Sequence, residues 1–423
     1  MSLKAILKPR RLPVPKDLAS VTTRDASAEV DPASVDMTAE QVERIWSNVE
    51  RLYRTGLQSA ISLTVRRKGR IIIRRSIGHA QIGTDRRPGL LCTPETPICL
   101  FSASKAITAM LVHKLVEQRH LQLDDRIARF IPEYGVEGKG ATTVRHLLAH
   151  RAGIPRVPAG ATPEMLFDWN DVVARLCAAK PINATGDTQS YHAITGGFIL
   201  GELAQRVSGA SLPDLLRDII TEPMGLKTMS FGVPVERRAQ AALNYHTGLH
   251  PVFPLTSFIQ NVLGASFAEV VRISNTPEFM SALIPAGNIY ANSDDAGAFY
   301  QMMLQNGEYN GKQIFKAATI AEAIRPAGPI HIDRTLLVPV RFSAGFVLGE
   351  WPVGLYGHNC RSAYGHLGFL STICWADPAR DISVGFVNSG KSVSADQLAP
   401  VGSILGGISS ACRPVARSRR GVN

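Results

Sequence analysis

The sequence predicts an α+β fold in which one sheet is assembled from both ends of the chain and a helical lobe is inserted between them. Three observations predict it. β-rich runs stand early, at Ala60 to Val65 and Arg70 to Ile77. They return late, at Phe342 to Leu348, Leu370 to Trp375 and Ile382 to Val387. The stretch between is helical in period and broken by Pro- and Gly-rich segments. No internal repeat competes with this reading.

The elements follow in chain order. Residues 1–36, rich in Pro, Lys, Arg, Asp and Ser, read as an irregular leader. Thr38 caps a helix, with Gln41 three residues on to complete a capping box. Val42, Ile45, Trp46, Val49 and Leu52 then form one apolar stripe. Lys68-Gly69 turns the first strand into the second. From Ser104 to Glu117 apolar residues cover most of the helix circumference, which marks a buried helix. Thr143 to His150 and Thr195 to Val207 are the clearest helices of the insert, and Gly209 stops the second. Asp377-Pro378 turns between the last two strands, and Leu398, Val401, Leu405 and Ile408 predict a closing helix. The expected domain is 37–415, with a sheet lobe at about 37–100 and 285–415, a helical lobe at about 101–284, and a basic tail at 416–423.

Composition narrows the classes. Of 423 residues, 45% are hydrophobic and 19% charged, so a core of ordinary size can form and a disordered chain is excluded. No apolar run approaches the roughly 18 residues of a membrane span, so no stable membrane insertion is expected. The net charge is 46 − 35 = +11. Its basic residues cluster in the leader, in the strand pair Arg66 to Arg75 and in the tail from Arg413, not on one helix face. With no zinc-finger, zipper or RNA-binding strand signature, no nucleic-acid partner is expected. The six cysteines form no C-x-x-C pair and no dense framework, which indicates a reducing compartment. The basic N-terminus lacks a signal-peptide core, so a cytoplasmic location is expected.

Three short segments carry chemistry. In Ser102-Ala103-Ser104-Lys105 the first serine and the lysine stand one helical turn apart on the same face. A lysine buried there loses proton affinity and can accept a hydroxyl proton. The free N–H groups of a helix start can hold an oxyanion. Tyr191, following Gly186 and preceding a helix, offers a phenol as a second proton carrier. Tyr364-Gly365-His366-Leu367-Gly368 leads into a strand, where the backbone N–H of Phe369 can complete an oxyanion hole. His146 and His150 have metal-pair spacing without the Glu of H-E-x-x-H, and His358, Cys360 and His366 match no common zinc spacing. Neither a metal nor an organic cofactor is expected.

Ser102-x-x-Lys105, Tyr191 and His366-x-Gly368, in this order, resemble the serine hydrolases related to class C β-lactamases and penicillin-binding proteins. The resemblance also runs through Leu115 to Gln118, Leu123 to Asp125, Arg145 to His150 with Gly153, Tyr191 to Gly209, Pro223 to Leu226, Ile289 to Met303 and Gly365 to Asn388, about 40–410 in all. It implies a β-lactamase/transpeptidase-like fold: an antiparallel sheet flanked by terminal helices, with the nucleophile in the cleft beside a helical lobe. It also implies an acyl-enzyme route. Ser102 would be the nucleophile, and Lys105 and Tyr191 would share the proton work. The N–H groups of Ser102 and Phe369 would form the oxyanion hole, with His366 and Gly368 beside the substrate.

Two departures from that family's pattern bear on substrate. Ala193 stands where Tyr-x-Asn supplies an amide, and His366 replaces the lysine of Lys-Thr-Gly, which occurs nowhere in the chain. Both remove groups that hold a β-lactam and leave the acyl-transfer core. The His-x-Gly form is similar to carboxylesterases and lipase-like hydrolases, so the expected partner is a small-molecule ester. A β-lactamase, peptidase or acyltransferase using the same site is the alternative, as is an inactive homologue that only binds. The run 244–290 offers Tyr245, Val252, Phe253, Phe258, Val262, Leu263, Phe267, Phe279 and Leu283 for an apolar acyl pocket, or for the core of the helical lobe.

Overall fold

The computed structural model describes residues 9–85, 88–157, 162–253 and 255–415. The basic tail expected at 416–423 lies outside the described residues. Labels follow chain order: β1 (Thr22–Arg24), α1 (Ala39–Arg54), β2 (Ala60–Arg67), β3 (Arg70–Gln81), β4 (Leu90–Leu91), β5 (Ile98–Cys99), α2 (Ser104–Glu117), α3 (Thr195–Ser208), β6 (Ser230–Phe231), β7 (Tyr245–Thr247) and β8 (Ile289–Ala291). After them come α4 (Ser293–Leu304), β9 (Val347–Leu348), β10 (Tyr364–Leu367), β11 (Ile373–Asp377), β12 (Ile382–Asn388), β13 (Gly390–Ser392) and α5 (Leu398–Ala411).

The main sheet runs β1-β3-β2-β12-β11-β10-β9, with β4 added to β3. Every pairing in it is antiparallel. The two chain ends meet where β2 lies against β12, from Ile61↔Asn388 to Arg67↔Ile382. Alternation along β2 explains the layering. Ile61, Leu63 and Val65 join an apolar cluster with Trp46, Val49 and Leu52 of α1 and Ile404 and Ile408 of α5. Ser62 and Thr64 point to the other face, where both hydroxyls lie 2.8 Å from Ser293 Oγ at the start of α4. Small residues let α4 sit close: a Cβ at Gly385 would lie 2.0 Å from Ser293 O. Terminal helices thus cover one face, while α4 and the helical residues cover the other.

Several boundaries differ from expectation. The leader is not irregular throughout. β1 pairs with β3 across Thr22↔Ile77 to Arg24↔Arg75, and Leu18, Val21 and Val35 are buried against the sheet. The basic strand pair is internal. Arg75 pairs with Glu29 and Glu43, Arg74 with Asp25 and Glu95, and Arg66 with Asp294, and these arginines are buried. A low dielectric demands such partners. The helix expected at Thr143 to His150 spans only Val144–Leu148, because His150 turns into the left-handed region with φ 60°. Strand structure expected from Leu370 begins at Ile373, since Leu370 has φ 73°. In 342–348 only Val347–Leu348 is strand; Gly345, at φ 122°, breaks the run.

Candidate active site

β5 delivers the chain to the centre. Ile98 and Cys99 pair with β8, and Leu100 N donates to Ile289 O at 2.8 Å. Phe101 then turns sharply with φ 47°, a sparsely populated region for a bulky residue. Phe101–Ala103 forms a 3₁₀ turn that runs directly into α2. Ser102 therefore sits at the mouth of α2 and stays partly exposed, while Ser104 is buried with its Oγ accepting from Ile289 N at 3.0 Å. Of the two serines, only Ser102 has its hydroxyl free for the cleft.

Lys105 Nζ donates to Ser102 Oγ at 3.1 Å, to Ala193 O at 2.6 Å and to Ala286 O at 3.1 Å. An ammonium would use all three N–H bonds here. The neutral amine would keep both carbonyls and turn its lone pair to the serine hydroxyl. Burial favours the neutral form and pushes the Lys105 amine down to about 7. Ala193, which lacks the amide of Tyr-x-Asn, still contributes through its backbone carbonyl.

Tyr191 places its ring centroid 4.9 Å from Lys105 Nζ. Burial pushes its phenol well above the ordinary value, opposed by the Ser102 hydroxyl and reinforced by Asp333. Its backbone is held by a residue the sequence reading missed. The fully buried Asp333 accepts from Tyr191 N at 3.0 Å, and from Thr335 N and Leu336 N, both at 2.9 Å. His150, which the sequence offers as a metal candidate and as part of the resembling stretch Arg145 to His150, also lies against Tyr191. Its ring lies 4.7 Å from that of Tyr191, and its Nδ1 accepts from His192 N at 3.2 Å. No local pattern marks either residue for this role, because long-range folding alone brings them to Tyr191. Among the described residues, no three His, Cys, Asp or Glu side chains converge as a metal site.

On the opposite wall, β10 carries His366. Its Nδ1 lies 2.8 Å from Leu367 O and so carries the proton, leaving Nε2 as a buried acceptor without a partner among the described residues. Burial, helped by Lys105, lowers this imidazole to about 3 and keeps it neutral. Gly368 permits close approach: a Cβ there would lie 2.3 Å from Leu100 O, at the base of the nucleophile's turn. Phe369 follows, its ring 5.4 Å from that of Phe101. As the second residue of its turn, Ser102 leaves its N–H without an intrahelical acceptor. The structure thus brings together Ser102, Lys105, Tyr191, His366, Gly368 and Phe369.

Ser102 opens onto an apolar cleft. Phe101, Leu166, Ala193, Val270, Ile273, Phe279, Ile284 and Phe369 line it. Of the six residues named from 244–290 whose side chains are described, only Phe279 is among them, although Val270, Ile273 and Ile284 come from the same run. Phe267 packs behind Phe369 at 5.2 Å between rings, Leu283 joins the core, and Tyr245 accepts from Ile82 N through its hydroxyl. Val252 and Phe253 point outward, 53% and 80% exposed. The side chains of Phe258, Val262 and Leu263 lie outside the described residues.

The family model described as Beta-lactamase matches residues 49–402. The chain belongs to the β-lactamase family. It is a hydrolase of that family, whose fold is the β-lactamase/transpeptidase type. The chain is 27% identical over 303 residues to "Esterase/beta-lactamase LipL" of Mycobacterium tuberculosis, covering 69% of this chain and 68% of that protein. Among solved structures, a penicillin-binding protein homologue from Caulobacter crescentus superposes with TM-score 0.77 at 24% identity, covering 88% of this chain and 97% of that one. A family VIII carboxylesterase superposes with TM-score 0.75 at 23% identity, covering 87% and 98%. No helix among the described residues is long and apolar enough to cross a membrane.

Proposed function

We propose that this family member is a serine carboxylesterase working through an acyl-enzyme. The observation that carries the reading is the three-bonded Lys105 amine, lowered to about 7 and 3.1 Å from Ser102 Oγ at the mouth of an apolar cleft. Ser102 Oγ attacks the ester carbonyl while Lys105 takes its proton. The backbone N–H groups of Ser102 and Phe369 hold the oxyanion. Tyr191, kept protonated by burial, donates to the departing alkoxide, and Lys105 returns the proton to the phenol. Water then repeats the path in reverse, with a proton going back to Ser102 as the acid leaves.

The cleft supports an uncharged, apolar ester as substrate, because no charged side chain is among its described lining residues. The neutral His366 offers a substrate carboxylate no charge, and Ala193 offers a substrate amide no side-chain partner. An unpaired buried polar group costs about 1–3 kcal/mol, so β-lactams are disfavoured against simple esters. The LipL and family VIII carboxylesterase likenesses agree with this choice. The reading includes a cytoplasmic setting, supported by six buried free thiols.

The test is turnover of p-nitrophenyl esters of increasing acyl length beside a chromogenic cephalosporin, with Ser102→Ala as control. Each methylene buried in the cleft adds up to about 0.8 kcal/mol, so kcat/KM rises up to about fourfold per carbon from acetyl to hexanoyl. A cephalosporin turned over as well as the butyryl ester overturns the esterase reading. A flat ester series rejects only the apolar acyl pocket.

A further inference from the structure

Lys391 is a fully buried lysine, and nothing in the proton path uses it. Its Nζ donates to Asn388 O at 2.8 Å and lies 5.0 Å from the Phe101 ring centroid. Asn388, the last residue of β12, is also fully buried. Its side-chain amide clasps the turn after the third motif: Nδ2 donates to Ser371 O at 2.9 Å, and Oδ1 accepts from Ser371 Oγ at 2.9 Å. That turn needs holding. Leu370 is left-handed at φ 73°, and Ser371 N reaches back to Phe369 O at 3.1 Å.

These contacts close a circuit. Phe101 precedes the nucleophile and packs its ring, tilted, against that of Phe369; the chain runs from Phe369 to Ser371; Ser371 is held by Asn388; Asn388 is held by Lys391; and Lys391 lies over Phe101. Both amides assigned to the oxyanion hole belong to residues on this circuit or next to it. We infer that Asn388 and Lys391 are positioning residues that keep Phe369 N in register with Ser102 N. The inference rests on the esterase reading above. Burial holds the Lys391 amine down at about 7, so near neutrality a single carbonyl and an aromatic face can satisfy it.

Such a clasp acts on the transition state and leaves ground-state binding almost untouched. Removing a whole oxyanion donor costs roughly 10²–10³ in kcat, and a displaced donor costs less. Asn388→Ala and Lys391→Met are each expected to lower kcat for a butyryl ester by about tenfold or more, with KM within about twofold. Labelling of Ser102 by a fluorophosphonate, whose phosphoryl oxygen enters the same hole, slows in parallel. The acid limb of kcat/KM stays in place, because neither residue touches Lys105. A side chain that merely supported the fold would move KM and the limb together.

Unchanged kcat in both folded variants overturns the inference, as does a loss carried mainly by KM with a displaced limb. Should both variants fail to fold, Ser371→Ala decides. It deletes one hydroxyl of the clasp, and a severalfold loss of kcat is expected, so full kcat overturns the inference. Ser102→Ala separates the two levels of argument. Activity surviving in Ser102→Ala sinks the esterase reading itself, whereas a dead Ser102→Ala beside fully active clasp variants sinks the clasp alone.

Discussion

Lys105 and Tyr191 flank Ser102, and burial moves their proton affinities in opposite directions. The amine drops to about 7, while the phenol rises above its ordinary value. Desolvation disfavours whichever form is charged, so one environment yields a neutral base and a neutral acid. The roles therefore separate where the sequence left them shared. A base must be unprotonated to act, so activity is lost as pH falls through the Lys105 value. The expected kcat/KM profile rises with unit slope to an apparent pKa near 7 and is flat above it until Tyr191 ionises. Lys105→Ala and Tyr191→Phe should each cost about 10² or more in kcat, and the double variant little beyond the worse single one. A limb near 4–5 with full activity in Lys105→Ala would move the base to another group.

The oxyanion side depends on contact between two elements. The turn that opens α2 and the turn that joins β10 to β11 meet at Leu100 and Gly368, where there is no room for a methyl group: a Cβ on Gly368 would lie 2.3 Å from Leu100 O and 2.8 Å from Thr372 Cβ. Gly368→Ala should push the Phe369 turn away from Ser102. The expected result is a loss of about 10² in kcat with the fold retained, checked by steady-state kinetics beside circular dichroism. Normal turnover in a folded Gly368→Ala would remove Phe369 N from the hole. The glycine was legible in the sequence as one member of a motif, and so were the Ser102–Lys105 spacing and the capping box of α1, because each is local chemistry within a few residues. Asp333, His150 and Asn388 were not legible in these roles. Each acts on a residue between 17 and 142 positions away, and no period or spacing encodes that distance. The acyl cleft was legible in part. The run 244–290 supplies Ala265, Val270, Ile273, Phe279, Ile284, Ala286 and Gly287, but of the large residues named there whose side chains are described only Phe279 reaches the cleft, and the other walls come from around residues 101, 166, 193 and 369.

At the scale of the whole molecule, the buried titratable groups predict how stability follows pH. Burial lowers His366 to about 3 and His192 to about 4, below an unfolded value near 6.5. Between those values the unfolded chain binds the extra protons, so stability falls on acidification from about 6.5 to 4. Lys105 and Lys391, at about 7 when folded, protonate on unfolding at any pH between there and about 10.4. Each therefore adds up to about 1.4 kcal/mol of stability per pH unit as pH rises above 7. Five enclosed thiols oppose this at the alkaline end. Cys92, Cys99, Cys360, Cys374 and Cys412 are raised to about 12, whereas an unfolded thiol ionises near 8.5. Above that value the unfolded chain has lost protons the folded chain retains, and five thiols outweigh two amines. The melting temperature should therefore rise from pH 4 to a maximum near pH 8 to 9 and fall beyond it. Scanning calorimetry across pH 4–11 under reducing conditions measures the curve. A maximum at pH 5 to 6 would mean that Lys105 and Lys391 stay protonated in the folded state, and the neutral Lys105 base would fall with it. Lys105→Met and Lys391→Met should each flatten the rise between pH 7 and 8 by about half, which ties the slope to these two amines.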